Sequence, residues 1–79
     1  MGTCAAHGCA ADVQPGMLMC RPHWWKVPKP LRDAIWETFR NGPRDAYSAN
    51  VLEARAVCAE KEGKQAIADG MRKLKESLA

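Results

Sequence analysis

Three cysteines and a histidine near the N-terminus stand at the spacing Cys4-x4-Cys9-x10-Cys20-x2-His23. Two close pairs separated by a loop let four soft or borderline donors converge tetrahedrally, the arrangement Zn2+ takes in closed structural sites. The spacing resembles that of a zinc knuckle or a short treble-like finger. A finger with two cysteines and two histidines does not fit, because the second pair is too close and is not His/His. His7 is an alternative ligand, since Cys4-x2-His7 is also a workable pair. Cys9 is preferred, because thiolate binds zinc strongly and Gly8 beside it supplies the tight turn such a loop needs. Four protein ligands leave no open coordination position, so Zn2+ is expected as a structural cofactor.

Other chemistry has little to stand on. A nucleophilic Cys20 activated by His23 lacks a third, orienting group and an oxyanion-hole signature. The chain carries no phosphate-binding glycine loop and no paired-carboxylate motif, and Asp12, the nearest N-terminal acid, reads as a turn residue. The expectation is that the protein is not an enzyme. Cys58, alone in a helical stretch, reads as a small buried hydrophobe.

The elements that must hold this cluster are few. The chain has 79 residues, near the size where one apolar core gives marginal stability and a metal or disulfide staple is often added. Hydrophobic residues make up 47%, but many are alanine, and all five aromatics fall between Trp24 and Tyr47. The segment before Met19 therefore cannot build a core by itself. With no signal-peptide pattern and two histidines interleaved among the cysteines, metal ligation is favoured over disulfides. No apolar run is long enough for a membrane span, and the expected location is cytoplasmic.

The expected fold is small and mostly α, an N-terminal zinc knuckle with few or no strands packed on two helices, the C-terminal one long. Residues 1–28 form the knuckle segment, 29–42 the first helix, and 43–79 a turn and the long helix, all within one domain. Pro30 opens the first helix and Asn41-Gly42-Pro43 closes it with a left-handed stop. Its apolar face carries Leu31, Ala34, Ile35, Thr38 and Phe39, with Trp36 on the flank. Ser48 is the expected cap of a second helix over residues 49–78, in which Gly63 marks the place for a kink or break. An unbroken helix there would extend about 45 Å against about 18 Å for the first. Some of the stripe Ile67, Met71, Leu74 and Leu78 should then lie beyond its own domain, free to pair with a second copy or another protein.

A second candidate surface is the segment 21–32, where Arg21, Lys26, Lys29 and Arg32 accompany Trp24 and Trp25 with no acid between them. Cations on phosphates with an indole stacked on an unpaired base would make it a nucleic-acid surface, with Trp25 as the stacking residue. With so few other large apolar residues, at least one of the two indoles belongs to the core. The formal charge of +3 falls to +2 once three thiolates hold a dication, well short of a strongly basic footprint. A protein partner is therefore favoured over nucleic acid, with no membrane role and with a homodimer through the C-terminal helix as one form of it.

With Cys4, Gly8-Cys9, Met19-Cys20, His23-Trp24, Val27-Pro28, Leu31-Arg32 and Ile35-Trp36 assembled, the first half resembles a group of small, mostly uncharacterised proteins of bacteriophages, prophages and bacterial genomes. Their recurring pattern is a Cys pair followed by MCxxHWxxVPxxLRxxIW. The resemblance covers about half the chain and carries over the zinc ligands and the helix after them. It implies no known activity; a phage origin, together with the extended apolar stripe, makes a small accessory protein the expectation, including one that binds and disables a host enzyme or defence complex.

Overall fold

The computed structural model describes residues 2–14 and 17–78. Met1, Pro15, Gly16 and Ala79 lie outside the described residues, within the segments assigned above to knuckle and long helix. Two short strands, β1 (Gly2–Thr3) and β2 (Asp12–Val13), pair antiparallel, Gly2 against Val13 and Thr3 against Asp12. Four helices follow among the described residues: α1 (Arg21–Lys26), α2 (Lys29–Asn41), α3 (Arg44–Lys61) and α4 (Gln65–Ser77). The mostly α class is as expected, and the two strands are short enough to serve only as the neck of a loop. Asp12 sits in β2 rather than in a turn.

The segment 21–26 is helical. Cys20 precedes its first turn with Pro22 at the second position, where a missing N–H costs nothing. α2 begins after Pro28 and ends as expected, but by a different device. Gly42 is extended (φ −90°), so no left-handed stop forms there. Glycine is required for space instead, because a Cβ would lie 2.7 Å from Thr38 Cα. Pro43 then precedes α3 directly, so the second helix starts at Arg44 and Ser48 lies inside it rather than capping it.

The continuous helix over 49–78 is not formed. It breaks at Gly63, which has φ +79°, into α3 and α4 packed as a hairpin. The Lys64 N–H donates to Ala59 O (2.8 Å) and the Gly63 N–H to Glu60 O (3.0 Å). These are the 6→1 and 5→2 bonds of a Schellman cap, which satisfies the last carbonyls of α3 and turns the chain back.

α3 is the central element and buries two sides. Ala54 and Cys58 join Cys4, Val13, Met19, Val27 and Ile35 in one cluster, while Ala56 and Ala59 meet Ala68 and Met71 of α4 in another. The small side chains allow close approach of the helices. Asn50 Nδ2 donates to Thr38 Oγ1 and Ala34 O, tying α3 to α2. Arg72 of α4 donates to both Glu53 (2.9 Å) and Glu60 (2.6 Å), and Lys75 adds a bond to Glu53 (3.2 Å). No helix among the described residues is long and apolar enough to cross a membrane.

Two substitutions separate a hairpin from a continuous helix. Gly63→Ala forces a left-handed alanine and should cost about 1 kcal/mol, whereas Gly70→Ala, helical with open space around it, should add about 0.5–1 kcal/mol. Urea unfolding measures both, and in an unbroken helix the two signs would agree. A pH series examines the other side of the hairpin. Hydrogen bonding from Arg72 holds the Glu53 carboxyl below its ordinary value near 4.5. A lowered folded pKa stabilises above the unfolded pKa and is lost as pH falls through the folded one. Glu53→Gln should therefore cost about 0.5–1 kcal/mol at pH 7, a difference from wild type that shrinks toward zero in acid.

Candidate metal centre

Cys4 follows β1 directly, and its N–H donates to Ala11 O (2.9 Å), closing the neck of the loop 4–11. At the tip the Cys9 N–H returns to Ala6 O (3.2 Å) around Gly8, whose φ of +79° is the turn expected of it. Cys20 and His23 stand three residues apart at the start of α1, which puts both side chains on one side of its first turn. The result is a cluster in which the ligand atoms of Cys4, Cys9, Cys20 and His23 all lie within 4.8 Å of one another. Three of the edges are Cys4 Sγ to His23 Nδ1 at 3.6 Å, Cys20 Sγ to His23 Nδ1 at 3.0 Å, and Cys9 Sγ to Cys20 Sγ at 3.9 Å. All four cysteines are free thiols. Such a set is able to hold one metal ion.

His7 stands apart. Its side chain is exposed, and its carbonyl accepts from Lys64 Nζ (3.3 Å). Of the two alternatives left open by spacing, the cluster contains Cys9.

Burial pushes the Cys4 thiol up to about 11, against hydrogen bonds from the backbone of Cys20 and Ala6 that favour its thiolate. The Cys9 thiol is lowered, chiefly by a hydrogen bond from the Ala11 backbone. A cation among these sulfurs would supply the charge that makes three thiolates tolerable together.

The far side of the imidazole is held from α3. His23 Nε2 lies 3.4 Å from Glu62 Oε2. A metal held at Nδ1 together with the sulfurs would leave the ring proton on Nε2, to be donated to the carboxylate, an arrangement that fixes the ring. Hydrogen bonding to His23 in turn holds Glu62 below its ordinary range. Cys58, fully buried as expected, points its Sγ at His23 O (3.4 Å), and its thiol is pushed up by burial. Lys61 Nζ donates to Lys26 O, placing a cation at the C-terminus of α1. Glu62 was not singled out from sequence. The signal was its place just before Gly63, in a turn that only the folded hairpin brings to His23.

The cations of 21–32 are mostly engaged. Lys26 Nζ lies 3.7 Å from Glu62, Lys29 bonds Asp33 at 3.0 Å, and the Arg32 guanidinium stacks 4.5 Å from the Trp25 ring centroid. Arg21 is exposed. Trp24 is the indole that joins the core, while Trp25 remains 66% exposed. In the C-terminal stripe, Ile67 and Met71 pack on α3, leaving only Leu74 and Leu78 outward.

A surface that the sequence reading did not assemble lies between α1, α2 and α3. Met17, Trp24, Ile35, Trp36, Phe39 and Tyr47 line an apolar groove of about 280 Å³. Its rings form a ladder, edge-to-face from Trp24 to Trp36 (6.3 Å) and from Trp36 to Phe39 (6.1 Å), then tilted from Phe39 to Tyr47 (5.7 Å). Phe39 is 58% exposed. The walls come from four separate stretches of chain, so no single motif announces them.

Two substitutions weigh the histidine assignments. Glu62→Gln should weaken metal affinity about tenfold in a chelator competition, because the carboxylate behind His23 is lost. His7→Ala should leave the affinity unchanged; a loss of the same size there would move the ligand set to His7. No protein-family model matches the chain, and no curated protein or solved structure does either, so its function is argued from its own residues.

Proposed function

We propose that Cys4, Cys9, Cys20 and His23 bind one Zn2+ as a closed structural site, and that the chain is a non-catalytic module that docks a protein through the aromatic groove. The observation that carries the metal reading is the convergence of three sulfurs and one imidazole nitrogen within 4.8 Å. Tetrahedral zinc, with bonds of about 2.3 Å to sulfur and about 2.0 Å to nitrogen, sets S···S edges near 3.8 Å and S···N edges near 3.5 Å. The 3.9 Å and 3.6 Å separations agree with those edges, and the 3.0 Å contact of Cys20 with His23 has only to open slightly. Three thiolates with one imidazole favour Zn2+ over Mg2+ or Ca2+, which take oxygen donors. Zinc here supplies folding energy and holds the loop 4–11 against α1.

The docking reading is supported by the groove, where large apolar rings stay in contact with water although the chain has few of them to spend. The engagement of Lys26, Lys29 and Arg32 by neighbours of their own chain weighs for a protein partner over nucleic acid. In the phage or mobile-element setting that the sequence resemblance implies, that partner is a host protein.

Metal analysis of protein purified under reducing conditions should find one zinc per chain, and Cys4→Ser or Cys20→Ser should abolish it. Removing the metal with a strong chelator should lower the melting temperature and broaden the transition, with recovery on adding zinc. Zinc content near zero in a protein that melts unchanged after chelation would remove the structural-zinc reading.

A further inference from the structure

The walls of the groove are apolar, but the charges around it are one-sided. The Arg40 guanidinium lies 5.9 Å from the Trp36 ring centroid. Arg44 opens α3 one helical turn before Tyr47, and Arg21 lines the adjoining depression beside Met17. The nearby acids do not balance them. Asp33 is held by Lys29, and Asp12 shares the adjoining depression with Arg21. Glu37 and Asp45 each stand two residues from a groove residue, Ile35 and Tyr47, which at about 100° per residue turns them to the opposite side of their helices. The space of about 280 Å³ is at the small end of ligand clefts, suited to a bulky anchoring side chain of a larger partner.

From this we infer that the groove takes an acidic amphipathic segment of a partner protein, its large apolar side chains against Trp36 and Phe39 and its carboxylates on Arg40 and Arg44. The inference rests on the groove being the docking surface proposed above. The chain's own outward leucines are the competing occupant, since Leu74 and Leu78 of α4 would let a second copy fill the groove. Lys75 is already on Glu53, but Lys73 precedes Leu74, and docking would bring its charge beside the arginines, like against like. An acidic segment meets no such repulsion.

The experiment uses the full, metal-loaded chain and two synthetic helical peptides with the same leucine and phenylalanine stripe. One peptide carries glutamates beside the stripe and the other carries lysines. Affinity is read by fluorescence anisotropy at two salt concentrations, and the site by NMR shifts of the Trp36 indole and the Phe39 amide. The glutamate peptide should bind about tenfold more tightly than the lysine peptide, with the gap closing as salt rises. Phe39→Ser should abolish binding, and since this ring is mostly exposed the variant should keep its fold, checked by its unchanged zinc content. Arg40→Glu should reverse the preference. Equal binding of both peptides in the groove would overturn the acidic partner while leaving groove docking intact. Shifts elsewhere, or no binding by either peptide, would overturn both readings. A concentration-dependent dimer that Phe39→Ser dissolves would assign the groove to a second copy and overturn the inference.

Discussion

His23 is where the parts of this molecule meet. Its Nδ1 faces the thiols of Cys4 and Cys20, its Nε2 faces Glu62 at the end of α3, and its carbonyl receives the Cys58 thiol from the middle of α3. One residue therefore joins the N-terminal loop, α1, α3 and the turn into α4. The same residue leads into Trp24, which forms both part of the core and one wall of the groove. The Cys/His cluster and the groove therefore meet at neighbouring residues of α1, His23 and Trp24.

The need for such a joint follows from the core. Among its largest fully buried side chains are Met19, Val27 and Cys58, and much of the rest is alanine. Alanine buries little apolar surface, about 25 cal/mol for each Å² removed from water, but it brings helices close. α3 uses this on two sides at once, which is why its apolar residues do not form one stripe. The outer rim of the α3 and α4 hairpin is held by Arg72 and Lys75 on Glu53 and Glu60, an arrangement of half-exposed ions that contributes modestly. A core this thin gains disproportionately from a metal whose binding is itself folding energy.

The Cys/His cluster was legible in the sequence because metal chemistry restricts residue types and spacing more tightly than packing does. Cys4, Cys9, Cys20 and His23 converge as read, with Gly8 at the turn and His7 outside. α2 was legible from its periodicity. The α3 to α4 turn was half legible, since Gly63 was marked as a break point but the alanine-rich stretch around it looked helical throughout. What decided it was tertiary: turning back buries Ala59 on Ala68 and Met71, a gain absent from local propensity. Ser48 misled because a good capping residue is equally at home inside a helix once Pro43 has already started one. α1 was hidden by its brevity, six residues being less than two turns of periodicity. Glu62 and the groove were beyond reach for one reason, that each depends on chain segments far apart in sequence.

The basic aromatic segment 21–32 illustrates how composition and function part company. Read linearly, its cations and indoles look like one surface. In three dimensions Lys26 and Lys29 answer carboxylates, Arg32 covers Trp25, and Trp24 turns inward. Stacking on Trp25 uses Arg32's cation for intramolecular contact, so neither is as free for phosphate or base as spacing suggests. The apolar surface left unsatisfied moves one helix along, to Trp36 and Phe39, where the neighbouring cation is Arg40. A positively charged residue at the edge of an exposed aromatic face does not repel water-soluble partners in general; it selects among them by sign. In protein interfaces generally such a charge acts on encounter and register, while buried rings supply much of the affinity. Trp24, next to His23 of the Cys/His cluster, packs edge-on against Trp36 and so ties one end of that face to the N-terminal loop.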